Sequence, residues 1–123
     1  MARVLVLVVD DDEDVRELLD RQLSADGYDV MLATGFDDAL AAVARATPDV
    51  LVTDFAMAPH TGEELLRAVA ASYPAMGRIL FTGGRDAEIR GARAAADVVL
   101  RKGCELAEVS ASISRCLEIH RWG

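Results

Sequence analysis

A strand-like apolar run and a helix-like segment alternate five times along this chain, which predicts an α/β domain built on a parallel sheet. Two further observations support that class. The first run, Val4 to Val9 (VLVLVV), is continuously apolar rather than alternating, as a strand covered on both faces must be. The units recur about every 20 to 29 residues with no Pro/Ser-rich linker between them, so a single (βα)5 domain with helices on both faces accounts for residues 1–123, its core running from about 3 to 119.

Each element has its own local reason. After the first strand, Val15, Leu18, Leu19, Gln22 and Leu23 fall at helical spacing, and Gly27 supplies a stop. The second strand is YDVMLA, Tyr28 to Ala33. A Thr34-Gly35 turn leads to helix two, with Ala39, Leu40 and Val43 on one face, ending before Pro48. Strand three is DVLVTD, Asp49 to Asp54. The irregular FAMAPHTG loop follows, then helix three with Leu65, Leu66 and Val69, closed by Tyr73-Pro74. Strand four is RILFT, Arg78 to Thr82, and Gly83-Gly84 leads to a short Ala-rich helix four. The charges on that helix, Arg85, Asp86, Glu88, Arg90 and Arg93, read as a solvated face. Strand five is DVVLR, Asp97 to Arg101, and helix five runs from about Glu105 to His120 with Leu106, Val109, Ile113, Cys116 and Leu117 inward.

Composition excludes several classes. The chain is 52% hydrophobic and 28% charged, a globular balance, and no apolar run approaches the ~20 residues of a membrane helix. The apolar N-terminal run ends in acids rather than in a small-residue cleavage site, so the chain reads as cytoplasmic. A net charge of -8 argues against direct binding to nucleic acid or anionic lipid, both of which need a cationic surface. Cys104 and Cys116, read on one helix, lie about 18 Å apart, beyond the ~7 Å reach of a disulfide, and are read as structural thiols.

In a parallel α/β sheet, ligands sit beyond the C-terminal ends of the strands. There this sequence places Asp10 and Asp11 (strand one), Asp54 (strand three), Thr82 (strand four) and Lys102 (strand five). Each alone has a bland reading: a helix cap, a good strand former, a solvated lysine. Together their chemistry agrees. Carboxylates about 4 Å apart repel by roughly 4 kcal/mol at an effective dielectric of 20, so the cluster calls for a cation. An oxygen-only ligand set on an open rim suits Mg2+, the usual bridge between protein carboxylates and a phosphate. One carboxylate is then able to attack phosphorus while Thr82 and Lys102 stabilise the equatorial oxygens.

The motifs VVDDDEDVRELL, DVLVTDFAMAPHTGEELL, ILFTGG and VVLRKG, in that order, resemble the receiver domain of two-component response regulators and hybrid histidine kinases. The resemblance covers essentially the whole chain and implies a flavodoxin-like sheet of strand order 2-1-3-4-5. It implies that Asp54 is the phosphoacceptor, Asp11 a direct Mg2+ ligand, and Asp10 a ligand acting mainly through water. Ala56 would offer its backbone carbonyl to the metal, Thr82 would hydrogen-bond the phosphoryl group and Lys102 would pair with it. Gly62 matches the loop glycine, at a bend that wants no Cβ. The implied partner is a histidine kinase or histidine phosphotransfer protein, whose phosphohistidine supplies the phosphoryl group. Helix four, strand five and helix five would form the switching face and a candidate homodimer surface. No substrate separate from the domain itself is implied, and the chain reads as a stand-alone receiver or a domain of a larger protein.

The sequence departs from that family at several positions. Met57 is followed by Ala58 and then Pro59 rather than directly by Pro, Gly103 follows Lys102 where Pro is usual, and Val99 stands where a swinging aromatic residue is expected. The output signal must therefore travel by another route, through helix four and strand five. Two rivals remain at this point. One is a pseudo-receiver that binds without being phosphorylated. The other is a haloacid-dehalogenase-type phosphatase with Asp10 as nucleophile, which leaves Asp54 unexplained. Among the remaining candidates, His60 reads as an exposed loop residue, His120 as remote from the rim, and Met57 and Trp122 as packing residues.

Overall fold

The computed structural model describes residues 3–120. In chain order the elements are β1 (Leu5–Val9), α1 (Glu13–Ala25), β2 (Asp29–Ala33), α2 (Phe36–Arg45), β3 (Val50–Thr53), β4 (Ala56–Met57), β5 (His60–Thr61), α3 (Gly62–Ser72), β6 (Gly77–Thr82), α4 (Asp86–Ala95), β7 (Val98–Arg101) and α5 (Leu106–His120). The main sheet is parallel throughout, in the order β2-β1-β3-β6-β7. This is the expected 2-1-3-4-5 order, with the last two labels advanced by an antiparallel hairpin, β4-β5, inside the loop expected to be irregular. Trp122 lies outside the described residues.

The sheet is covered on both faces, which explains the unbroken apolar run of β1. Side chains alternate across a strand, so Leu7 and Val9 enter one core with α2, α3 and α4, while Val6 and Val8 enter the other with α1 and α5. Ala39, Ala42, Val43, Leu65, Leu66, Val69, Ile89 and Ala92 line the first core, and Leu19, Leu23, Val109, Ile113 and Cys116 line the second.

Three expectations are corrected here. Leu18 is 48% exposed and Leu40 37% exposed, because each lies one residue, about 100° of helix, from a fully buried neighbour, Leu19 and Ala39. On α2 the inward position falls to Ala42. Cys104 is not on the last helix: its amide closes a turn onto the Arg101 carbonyl before α5 begins, and both cysteines are free thiols. Burial pushes the Cys116 thiol up to about 12, so it is inert as a nucleophile at neutral pH.

The helix ends follow the sequence closely. Asp12 is the N-cap of α1, its carboxylate accepting the Asp14 amide at 2.9 Å, with Glu13 and Asp14 in the favoured first turn. Gly27 takes a left-handed φ of 98° just beyond the cap residue Asp26. No helix among the described residues is long and apolar enough to cross a membrane.

Leu51→Ala, at a fully buried site in the central strand β3, should lower unfolding free energy by about 2–5 kcal/mol, whereas Leu18→Ala should stay within about 0.5 kcal/mol of wild type. Urea denaturation midpoints at a common m-value check the contrast.

Candidate phosphoryl and metal site

The backbone ladder of the sheet continues one step past the strand ends and brings the candidate residues together. The Asp10 amide donates to the Ala33 carbonyl (3.2 Å), the Asp54 amide to the Val9 carbonyl (3.0 Å) and the Lys102 amide to the Thr82 carbonyl (3.0 Å). Each bond extends a parallel pairing, so strand register sets where the three side chains start. Carboxylate oxygens of Asp10, Asp11 and Asp54 lie within 4.8 Å of one another. Asp10 is only 2% exposed and Asp54 7%, while Asp11 is exposed. Lys102 Nζ reaches between them, 2.9 Å from Asp10 Oδ2 and 3.2 Å from Asp54 Oδ2.

Backbone amides hold the remaining carboxylate oxygens. Asp10 Oδ1 accepts from the Asp12 amide (2.9 Å) and Asp54 Oδ1 from the Phe55 amide (2.8 Å). Arg16, which the sequence reading passed over, donates to the Asp10 carbonyl at 2.7 Å and ties α1 to the end of β1. Burial raises the Asp10 carboxyl above the ordinary aspartate value, and the negative Asp54 adds to this. The Asp12 amide and Lys102 pull it back without cancelling the rise. For Lys102, burial pushes the ammonium down, but the hydrogen bond to Asp10 and the charges of Asp54 and Asp10 outweigh it, leaving its pKa raised.

Thr82 is buried at the end of β6, and its hydroxyl is engaged by the Gly84 amide at 3.0 Å. The hairpin β4-β5 starts two residues past Asp54 with Ala56 exposed, while Met57 is buried and packs in the core. Among the described residues the one cis peptide is Ala58–Pro59, and Gly103 takes a left-handed φ of 103° in the turn after Lys102. Gly62 wants no Cβ, as expected, and the cause is a close backbone approach. Its φ is not left-handed, but a Cβ there would lie 2.1 Å from the Asp54 carbonyl oxygen and 2.9 Å from Phe55 Cα. Only glycine lets the start of α3 press against the backbone of Asp54, where the Gly62 amide donates to the Phe55 carbonyl at 2.7 Å.

Of the two histidines, His60 lines a cavity that also includes Asp11, and His120 stands apart from the carboxylate cluster. His60 is half-buried rather than loose, stacked on Phe36 with ring centroids 4.1 Å apart and bonded to Glu64. His120 bonds to Asp97, which precedes β7, at the opposite end of the sheet from the carboxylates.

Three converging carboxylates, two of them buried and held by one ammonium, fit a small divalent cation. All the donors are oxygen, and Asp11 is open to solvent. With an Asp at the rim, a hydroxyl and an ammonium nearby, the arrangement is suited to phosphoryl transfer onto a carboxylate.

Comparisons with known proteins agree. Residues 6–114 match the family described as the Response regulator receiver domain. The Response regulator MprA of Mycobacterium leprae is 39% identical over 115 residues, covering 91% of this chain and 50% of that protein. The DNA-binding transcriptional regulator NtrC of Salmonella typhimurium is 36% identical over 86 residues, 70% of this chain and 18% of that one. The chain thus spans half or less of these curated relatives. The signal receiver domain of an HD domain-containing protein from Pseudomonas fluorescens Pf-5 superposes with a TM-score of 0.91 at 26% identity, covering 98% of this chain and 91% of that one.

The raised Asp10 carboxyl has a consequence for stability. The folded state holds that proton more firmly than the unfolded state, so stability falls as pH rises from the unfolded value of 3.8 through the folded one. Asp10→Asn removes the ionisation and keeps an oxygen for the Asp12 amide. In Mg2+-free buffer its melting temperature should exceed that of wild type at neutral pH, and the gap should close as pH falls below 3.8. Circular-dichroism melts across that range check it, and a variant less stable than wild type at neutral pH contradicts it.

Proposed function

Because this chain belongs to the response regulator receiver domain family of two-component phosphorelay signalling, we propose that it accepts a phosphoryl group on Asp54 from a phosphohistidine of a partner protein. The observation that carries this reading is the Lys102 ammonium shared between the buried carboxylates of Asp10 and Asp54, at 2.9 and 3.2 Å. In the reaction a carboxylate oxygen of Asp54 attacks phosphorus, the P–N bond to the donor imidazole breaks, and the leaving nitrogen takes a proton. The product is an acyl phosphate. Water attacking the same phosphorus later returns the carboxylate and releases inorganic phosphate, so the domain takes part in both steps with no separate substrate to turn over.

The chain's own groups have distinct tasks. The Phe55 amide holds one oxygen of Asp54, which orients the carboxylate for attack. Lys102 follows charge as it moves from the carboxylate to the phosphoryl oxygens, and the Thr82 hydroxyl donates to one of those oxygens. A bound Mg2+, held by Asp11, Asp54 and the Ala56 carbonyl with Asp10 acting through water, would supply a positive charge that offsets the acid cluster and the incoming phosphate. The donor is a histidine kinase or a histidine phosphotransfer protein. Residues 1–123 are read as one receiver domain, stand-alone or part of a longer regulator, with α4, β7 and α5 as the switching face and a homodimer surface. Any nucleic-acid binding would belong to another domain, as the net charge of -8 favours no direct contact by this one.

The test uses a small acyl phosphate with Mg2+ and intact-mass measurement. Wild type should gain a single phosphoryl group, and Asp54→Asn or removal of Mg2+ should abolish it. A wild type that gains none identifies a pseudo-receiver, and phosphomonoester turnover dependent on Asp10 rather than Asp54 identifies a phosphatase.

A further inference from the structure

Val99 leaves this domain without an aromatic side chain on β7, yet an unusual partner sits two residues further on. Side chains two apart in a strand share a face, so Arg101 projects to the side where Val99 packs against the core of α2, α3 and α4. Arg101 also stands in register with Thr82 on β6. Its guanidinium donates to the Gly84 carbonyl and to the Asp86 carboxylate, in the first turn of α4. Gly84 in turn donates its amide to the Thr82 hydroxyl at 3.0 Å. Asp86 also pairs with Arg93 about two turns along α4, at 3.5 Å. The N-cap residue of α4, Arg85, makes no side-chain cap, so these ion pairs hold the start of the helix.

We propose that Arg101 is a positioning residue that couples the Thr82 hydroxyl to α4: it fixes Gly84, which fixes Thr82, and through Asp86 it carries any movement of Thr82 to the helix. The proposal rests on the reading of Asp54 as the phosphoacceptor and of Thr82 as a ligand of the phosphoryl group. The donor count supports it. A hydroxyl that accepts from the Gly84 amide keeps its own proton to donate, so the Gly84 bond prepares Thr82 to meet an incoming phosphoryl oxygen. The planar fork of arginine serves a carbonyl and a carboxylate on two segments at once, whereas a lysine at the same place is a single point charge. Arg101 makes no bond to Asp10, Asp11 or Asp54, so its effect must run through Thr82 and α4 rather than through the acid cluster.

The test compares wild type, Arg101→Ala, Arg101→Lys and Asp86→Ala, with Asp54→Asn as the control for adduct position. Two readouts are followed: the rate of adduct formation from acetyl phosphate with Mg2+, and backbone amide NMR shifts when Mg2+ and beryllofluoride, a phosphoryl mimic, are added. Arg101→Ala should form the adduct about threefold to tenfold more slowly, with Mg2+ affinity unchanged. Arg101→Lys should recover part of the rate. The mimic should shift amides of both Gly84 and the first turn of α4 in wild type, and the α4 shifts should be lost in Arg101→Ala. Asp86 has a side chain 82% exposed, so Asp86→Ala keeps the fold even if Arg101→Ala does not, and it should weaken the α4 shifts while leaving those of Gly84. Variants matching wild type in rate and in α4 shifts overturn the role of Arg101 while leaving Asp54 as acceptor. A wild type that forms no adduct overturns the phosphoacceptor reading and this coupling with it.

Discussion

One ammonium between two buried carboxylates is the constraint on which the rim of this sheet depends. Carboxylates within 4.8 Å of one another repel by roughly 3 kcal/mol at an effective dielectric of 20, and burial of Asp10 adds a desolvation cost. Lys102 offsets both from its place after β7, at the far side of β6 from Asp54. The chain has 13 basic side chains, and Lys102 is its only lysine. A compact ammonium with rotatable donors serves two oxygens from different strands in a narrow space, where the wide fork of arginine demands its own planar geometry. Lys102 compensates the acids only in part, since three carboxylates converge there on one ammonium. The site is therefore left with a net demand for positive charge.

Much of this was legible in the sequence because backbone rules connect strand order to position. Continuous apolar runs give strands with two covered faces, a parallel sheet aligns their C-terminal ends, and Asp10, Asp54, Thr82 and Lys102 then have to meet at one edge. A stop such as Gly27 could be read equally well, because its chemistry is local, whereas Asp12 shows itself as the cap of α1 only in the fold. Legibility failed where the cause was a contact between segments distant in sequence. That Gly62 wants no Cβ could be read, but the cause, α3 touching the Asp54 backbone, is a closeness no local pattern encodes. Leu18 and Leu40 matched a helical stripe and yet lie at its edge, because the direction of burial is set by the packed sheet and not by spacing alone. Cys104 looked helical because nothing in the local residues announces the Lys102-Gly103 turn except the glycine itself.

The charges of helix four show the same limit. As a sequence they read as a solvated face, whereas in the fold Asp86 joins Arg93 and Arg101, and through Gly84 the cluster reaches Thr82. The departure at Val99, which in sequence only removed a switching residue, gains a structural counterpart in Arg101 on the same face of the strand. The core and the site are thus joined through β6 and β7. Strand register fixes Thr82 opposite Arg101, and the hydrogen bonds around Gly84 connect that pair to a helix whose start has no side-chain cap.

The oxygens of the acid cluster suit a divalent cation, and the single Lys102 ammonium offsets only part of their charge. The most direct test is a calorimetric Mg2+ titration of wild type and Lys102→Met. Wild type should bind one Mg2+, and the variant should bind it more tightly, because a competing cation 2.9 and 3.2 Å from the carboxylates has been removed. A wild type that takes up no Mg2+, or a variant that binds it more weakly, would contradict the account.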